Sequence, residues 1–235
     1  MIALVIPVLK RFDLFTDLIE SVDEPVLPIV IPNYRNNKGV AAAWNQGIFY
    51  AIAKKCDVAI VTNDDVIFTP GSIKKMAESL RNSDGLLISP NHNGEMDVDG
   101  QVEGANFFCF AVKPQEFVES VGHFDENIYP AYFEDNDMHY RMQLAGVKSY
   151  IDTRIIVNHS GSATQNADEN NPVVPSSRFE AIRSYYIRKW GGEPGKEKYV
   201  TPWNRSGLNI KAWKGQDSVD EKQIELDNFF EIETE

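Results

Sequence analysis

The sequence predicts an α/β domain, a mostly parallel sheet flanked by helices, and three observations carry that prediction. Short continuous apolar runs at 2–6, 26–31 and 57–61 read as strands buried on both faces. Between them, 12–22 and 40–53 carry apolar residues at helical spacing. Each strand-like run closes on a proline or a polar turn, so strand and helix alternate over roughly the first 80 residues. That alternation builds a parallel sheet with helices on both faces.

Taken in order, IALVI at 2–6 is the first strand, stopped by Pro7, and apolar positions 12, 14, 15, 18, 19 and 22 form one helical stripe. The second strand, 26–31, ends at Pro32. Ala, Trp and Ile recur at helical period over 40–53. DVAIV at 57–61 is the third strand and closes on Thr62-Asn63-Asp64-Asp65. Thr69-Pro70 then opens a helix, with Thr as N-cap and Pro in the first turn. In the second half, strands at 86–89 and 107–112 flank a polar loop at 91–104. A short helix at 114–121 stops at Gly122. The helix predicted at 134–145 opens with acids, which suit its dipole, and ends at Gly146. A strand over 148–158 reaches His159, a loop covers 160–175, and a helix covers 179–190. Residues 191–215 are loop-rich with scattered aromatics, and 217–230 has an amphipathic pattern.

The chain has 235 residues, 43% hydrophobic and 25% charged, a composition that excludes disorder and needs no disulfide or metal for folding. Its two cysteines, Cys56 and Cys109, sit in apolar runs and suit a reducing, cytoplasmic setting. No stretch approaches the roughly 20 apolar residues of a membrane span, so no stable membrane insertion is expected. The formal charge of −12 is uneven: 217–235 holds eight acids and one lysine, whereas 172–215 holds nine bases and three acids. An acidic chain is a poor partner for nucleic acid, since duplex binding depends on neutralising phosphates. The basic segment could still meet one compact anion such as a diphosphate.

In a parallel sheet, ligands sit beyond the carboxyl ends of the strands, where Pro7, Asn33 and Asp64-Asp65 fall. Adjacent carboxylates at a strand end suit a hard divalent metal, Mg²⁺ or Mn²⁺, although Asn-Asp-Asp is equally good turn chemistry. At Phe133-Glu134-Asp135-Asn136-Asp137, acids open a helix behind Tyr129 and Tyr132. A carboxylate against aromatic walls has a raised pKa and can take a proton from a hydroxyl. His159, at a strand end, offers an imidazole as a further ligand. Gly39, at a helix N-terminus, allows close backbone approach and an anion site, and Asn45 either braces that loop or meets ligand.

In this order the motifs resemble the family two glycosyltransferases of the GT-A fold, the Rossmann-like nucleotide-diphospho-sugar transferases. The resemblance covers about residues 2–160: Pro7, Asn37-x-Gly39, Asn45-x-Gly47, Asn63-Asp64-Asp65-Val66, Pro70-Gly71, Gly122-x-Phe124-Asp125-Glu126, Glu134-Asp135-x-Asp137, Arg141, Ala145-Gly146 and His159. It implies inverting, metal-dependent transfer of a sugar from a nucleotide-diphosphate sugar to an acceptor hydroxyl. By position, Asp65 would bind the metal and His159 would be the late metal or diphosphate ligand. Asp64 would lie near the donor ribose or sugar, with Asn63 beside it. Pro7, Leu9 and Asn33 would contact base and ribose. Asp135 is the implied general base and Glu134 its competitor, while Asp137 and Arg141 hold the helix or contact substrate. Arg178 and Arg183 are the candidates to meet the diphosphate, with the 160–175 loop closing over it. Asn33 stands where the family usually has an acid, and the acidic motif lacks its first Asp. No Gln-x-x-Arg-Trp occurs, which argues for a non-processive enzyme.

The organisation that follows is a core over 1–165, with a nucleotide-sugar half at about 1–90 and an acceptor half at about 91–165. A basic, aromatic extension at 166–216 would pack on it, ahead of an acidic tail at 217–235. A nucleotidyltransferase would carry a Gly-rich loop after the first strand, where Pro7-Val8-Leu9-Lys10-Arg11 stands instead. The alternatives are a non-catalytic nucleotide-sugar-binding protein on the same scaffold, or a transferase acting on a hydroxymethylated nucleic-acid base.

Overall fold

The apolar runs pair into one eight-stranded sheet: β1 (Ile2–Val8), β2 (Leu27–Pro32), β3 (Val58–Thr62), β4 (Val66–Phe68), β5 (Leu87–His92), β6 (Gln101–Glu103), β7 (Cys109–Val112) and β8 (Ser149–His159). The computed structural model describes residues 1–161 and 173–213. Residues 162–172 of the expected 160–175 loop, and all of 217–235, lie outside the described residues. The strand order is β2-β1-β3-β7-β5-β8-β4, with β6 also on β8. Following the pairings, β1, β2, β3, β5 and β8 run one way and β4, β6 and β7 the other. The helices are α1 (Phe12–Glu20), α2 (Val40–Ala53), α3 (Ser72–Asn82), α4 (Pro114–Val121), α5 (Glu134–Leu144) and α6 (Ser176–Trp190).

Side-chain alternation along the strands sorts the core into two layers. Ala3, Val5, Ala59, Val61, Phe110 and Val112 face α2, α4 and α5 in one cluster. Leu4, Ile6, Val58, Ile60, Cys109 and Ala111 face α1 and α3 in the other. In the first layer α2 lies close on β1: a Cβ at Gly47 would stand 2.0 Å from Val5 Cγ1, so this helix position admits no side chain without displacing the strand. A third cluster forms where Ile182, Tyr185, Tyr186 and Trp190 of α6 bury against Ile128 and Phe133.

Six local expectations are corrected. β1 continues through Pro7 to Val8, because its pairing with β3 ends at Val5 and the proline meets only β2. β4 forms directly after the acidic turn, and β6 forms inside the expected polar loop; each is a three-residue strand held by β8 rather than by its own periodicity. The N-cap of α3 is Gly71, not Thr69, whose hydroxyl instead donates to the Ile156 carbonyl. β7 begins at Cys109 rather than 107, freeing 105–108 to line a cavity. α6 begins at Ser176, ahead of the predicted start at 179. Among the described residues, no helix is long and apolar enough to cross a membrane.

Candidate active site

The carboxyl ends of β1, β2, β3 and β8 open on one cavity of about 470 Å³, a size typical of small-molecule sites. Leu9 follows β1, Asn33 follows β2 and Asn63-Asp64-Asp65 follows β3, all lining it with Pro7. The backbone N–H of Asn63 donates to the Phe108 carbonyl at 2.8 Å, so the β3 ladder runs right up to the acidic turn. β4 then brings the turn to β8: Val66 pairs with His159, and the Ser160 N–H donates to the Asp65 carbonyl. His159 Nε2 consequently lies 3.0 Å from Asp65 Oδ1, with both side chains nearly buried. The imidazole stacks on Phe108, centroids 4.5 Å apart and planes within 8°. Its backbone N–H is held by Asn93 Oδ1 at 2.9 Å, which fixes the ring at the strand end.

The segment before α5 brings the second acidic pair to the same cavity. Tyr132 and Phe133, with φ of 75° and 72°, are consecutive non-glycine residues in the left-handed region. Such backbone costs about 1–3 kcal/mol per residue and persists where surroundings over-determine it. Here the surroundings are aromatic: Phe133 packs on Phe179 and Tyr186 of α6, at 5.5 Å each. The double left-handed turn delivers Glu134 and Asp135 to the first turn of α5, and both line the cavity. Glu134 is 7% exposed, and its Oε2 has no hydrogen-bond partner among the described residues. Burial first, and the neighbouring Asp135 second, push its pKa up to about 8. Burial also raises Asp135, partly offset by backbone N–H groups and by His139.

Further along α5, Asp137 and Arg141 form a fully buried pair, Arg141 Nη2 2.8 Å from Asp137 Oδ2. Arg141 also donates to the Val121 and His123 carbonyls, so it holds the helix rather than touching the cavity. Lys189 Nζ of α6 lies 2.6 Å from both Asp125 and Asp137. Tyr185 and Trp190 add hydrogen bonds to Asp125 and Asp137, at 2.7 and 2.8 Å. Two aspartates against one lysine and one arginine balance in charge, which is the condition for burying them. α6 therefore clamps the 125–137 segment that carries Glu134 and Asp135.

Nine of the residues singled out in the sequence meet at this cavity: Pro7, Leu9, Asn33, Asn63, Asp64, Asp65, Glu134, Asp135 and His159. Asn33 lines it with its carboxamide already engaged, accepting from the Lys38 N–H at 2.9 Å. Four others lie off the lining. Asn45 accepts from the Phe124 N–H and donates to the Phe124 carbonyl and Glu126, so it braces the 124–126 turn and has no group left for a ligand. Gly39, φ 82°, serves close approach of chain to chain: a Cβ there would stand 3.0 Å from Tyr129 and 3.1 Å from the Pro130 carbonyl. That carbonyl also takes the Val40 N–H, removing a donor from the supposed anion site. Arg178 donates to the Tyr129 carbonyl at 2.8 Å and lies over its ring. Arg183 is paired with Glu180 and Glu193. The lining includes Tyr132, expected as an aromatic wall, together with Trp44, Phe108 and Val174, to which the sequence assigned no role.

No protein-family model matches the chain. A glycosyltransferase of Bacillus subtilis named YwdF, itself uncharacterised, is 29% identical over 131 residues, which is 56% of this chain and 45% of that protein. The chain thus spans about half the length of this curated relative. The catalytic domain of Drosophila β1,4-galactosyltransferase 7, in complex with xylobiose, superposes with a TM-score of 0.54 at 15% identity, covering 87% of this chain and 83% of that one. A mutant of the same enzyme, in complex with manganese, UDP-Gal and xylobiose, superposes equally well at 14% identity, with the same coverage of both chains. The sequence likeness points the same way as the architecture, and the chain has the GT-A glycosyltransferase fold.

Proposed function

We propose that this chain is a metal-dependent, inverting glycosyltransferase that moves a sugar from a nucleoside-diphosphate sugar to an acceptor hydroxyl. One observation carries the reading: an Asp–His pair at the strand ends and a Glu–Asp pair at a helix start share one cavity. The neighbouring galactosyltransferase bound to manganese, UDP-Gal and xylobiose supports a nucleotide-hexose donor and a glycan-type hydroxyl for this chain too.

The donor set suits a divalent metal. Among the described residues no group of three His, Cys, Asp or Glu side chains could hold a metal, so protein ligation would rest on Asp65 and His159. His159 Nε2 is buried, makes no hydrogen bond among the described residues and faces the Asp65 carboxylate, a carboxylate–imidazole pair of the kind that suits a divalent metal. When bound, such an ion neutralises charge developing on the diphosphate leaving group.

On the acceptor side, Asp135 and Glu134 divide the work by pKa. With its pKa near 8, Glu134 keeps its proton at neutral pH and acts as a neutral hydrogen-bonding group. Asp135 remains the base, made more basic than a surface aspartate by burial. It takes the acceptor hydroxyl's proton as that oxygen bonds to the anomeric carbon, and the bond from that carbon to the diphosphate oxygen breaks on the opposite face. The buried Cys109 thiol, with its pKa raised to about 12, and buried Cys56 are inert free thiols that suit action in the cytoplasm.

Thermal denaturation with UDP, GDP, dTDP, ADP and CDP, with and without Mn²⁺, tests the donor site. A ligand at 100 times its dissociation constant adds roughly 2.7 kcal/mol. One nucleotide should raise the melting temperature only with Mn²⁺, and Asp65→Ala should abolish the rise. No shift with any nucleotide overturns the reading, and an equal shift in Asp65→Ala overturns its metal part. Binding of a nucleotide sugar without transfer or hydrolysis would make the chain a binding protein.

A further inference from the structure

Among the described residues, five buried side-chain atoms make no hydrogen bond: Trp44 Nε1, Ser72 Oγ, Glu134 Oε2, Arg141 Nη2 and His159 Nε2. Arg141 pairs in charge with the Asp137 carboxylate, and His159 Nε2 faces Asp65 in the pair already proposed to hold a metal. Ser72 lies in the first turn of α3, away from the cavity. Trp44 and Glu134 remain, and both line the same cavity.

Their burial makes this unusual. Trp44 is 3% exposed and wedged edge-on between Phe110 and Phe124, centroids at 5.3 and 5.0 Å. Glu134 is 7% exposed. Native proteins pair nearly all such atoms, and those left open at a cavity call for a ligand or water. The two atoms are also complementary. The indole N–H can only donate, and the carboxyl oxygen can accept. One group that accepts from the first and donates to the second is a hydroxyl. The same cavity is lined by apolar Val40, Phe107 and Ala131 as well as polar Asn37, Asn106 and Asp135.

We propose that Trp44 Nε1 and Glu134 Oε2 form a hydroxyl-reading subsite, taking one free hydroxyl of a sugar ring between them and rejecting sugars that lack it. The inference rests on the transferase reading above and deepens it. The sugar belongs either to the donor or to the acceptor; the chemistry at the subsite is the same. Two net hydrogen bonds correspond to about a 10- to 100-fold preference for the hydroxylated sugar.

Titration calorimetry with Mn²⁺ compares wild type with Trp44→Phe, which keeps a ring and deletes the N–H. Site-specific benzothienylalanine at position 44, with sulfur in place of N–H, covers any loss of packing in the phenylalanine variant. The probes are UDP, GDP and dTDP, their hexose forms, and xylobiose added to the nucleotide complex. Both variants should bind the bare nucleotide within about two-fold of wild type. Their affinity, with one of the two bonds deleted, should fall about 3- to 10-fold for the nucleotide hexose if the hydroxyl is the donor's, and for xylobiose if it is the acceptor's. In wild type, one monodeoxy analogue of that sugar should show a larger loss, about 10- to 100-fold, and this loss should shrink in Trp44→Phe, where only the bond to Glu134 is left to lose. Equal weakening of bare nucleotide and nucleotide sugar would make Trp44 packing alone and overturn the proposal, as would unchanged affinity throughout. Failure of the wild type to bind any of these nucleotides would instead bring down the transferase reading, and the subsite with it.

Discussion

Replacing Glu134 by glutamine should stabilise the protein, and by an amount that grows with pH. Burial lifts this carboxyl from the ordinary value of 4.5 to about 8. Between those values the folded chain holds a proton that the unfolded chain has released. Stability contributed at this site therefore falls as pH rises, by about 1.4 kcal/mol per pH unit. At pH 7 the interval above 4.5 is worth about 3 kcal/mol, and the loss levels off above pH 8. Glutamine has nearly the shape of the protonated acid and nothing to titrate, so it escapes that cost. Urea denaturation of wild type and Glu134→Gln at pH 5, 7 and 8 measures the difference. The gap should be under about 1 kcal/mol at pH 5 and widen by about 1.4 kcal/mol per unit to pH 8. A gap independent of pH would refute the reasoning, because it would mean that Glu134 is ionised in the folded state. Activity should fall in the same variant, the exchange of stability for function common at active sites.

Lys189→Met should destabilise by about 3–5 kcal/mol in urea denaturation, because it leaves Asp125 and Asp137, both unexposed, with Arg141 as the one remaining buried cation in the cluster. Asp137 is pushed up by burial, but Arg141 and Lys189 outweigh this and hold its pKa below the ordinary range. Its stabilisation is accordingly complete above the ordinary carboxylate pKa and lost as pH falls through the lowered folded value, so wild type and Lys189→Met should converge in acid. Asn45→Ala should cost roughly 1–3 kcal/mol through lost hydrogen bonds to the 124–126 turn. Calorimetry should find its affinity for the nucleoside diphosphate unchanged; a ten-fold loss would restore Asn45 to the ligand contacts.

What could be read from the sequence was local. IALVI at 2–6 and DVAIV at 57–61 announce buried strands because a residue surrounded by sheet on both sides must be apolar, whatever its neighbours are. The helical stripes at 12–20 and 40–53 follow from one apolar face meeting that sheet. Polar strand ends nominated Asp64-Asp65 and His159, acids at a helix start nominated Glu134-Asp135, and the family resemblance chose Asp65 and Asp135 among them. Motif likeness also drew in Asn45, and the basic composition of 172–215 drew in Arg178 and Arg183, since neither spacing nor charge reveals whether a polar group is already bonded to the chain. β4 was hidden because Val66–Phe68 is too short for a period, and its partner lies some 90 residues away in β8.

The alternation of elements, the helices on both faces of the sheet and the acids at its strand ends were already legible in the sequence. Folding alone brings Asp65 to His159, fastens α6 to Asp125 and Asp137 through Lys189, and leaves Trp44 Nε1 and Glu134 Oε2 at the cavity with no hydrogen bond among the described residues. The reason is physical. Periodicity is set by a residue's own backbone and one buried face. An ion pair, a hydrogen bond or an orphaned donor instead depends on which distant segment arrives opposite it.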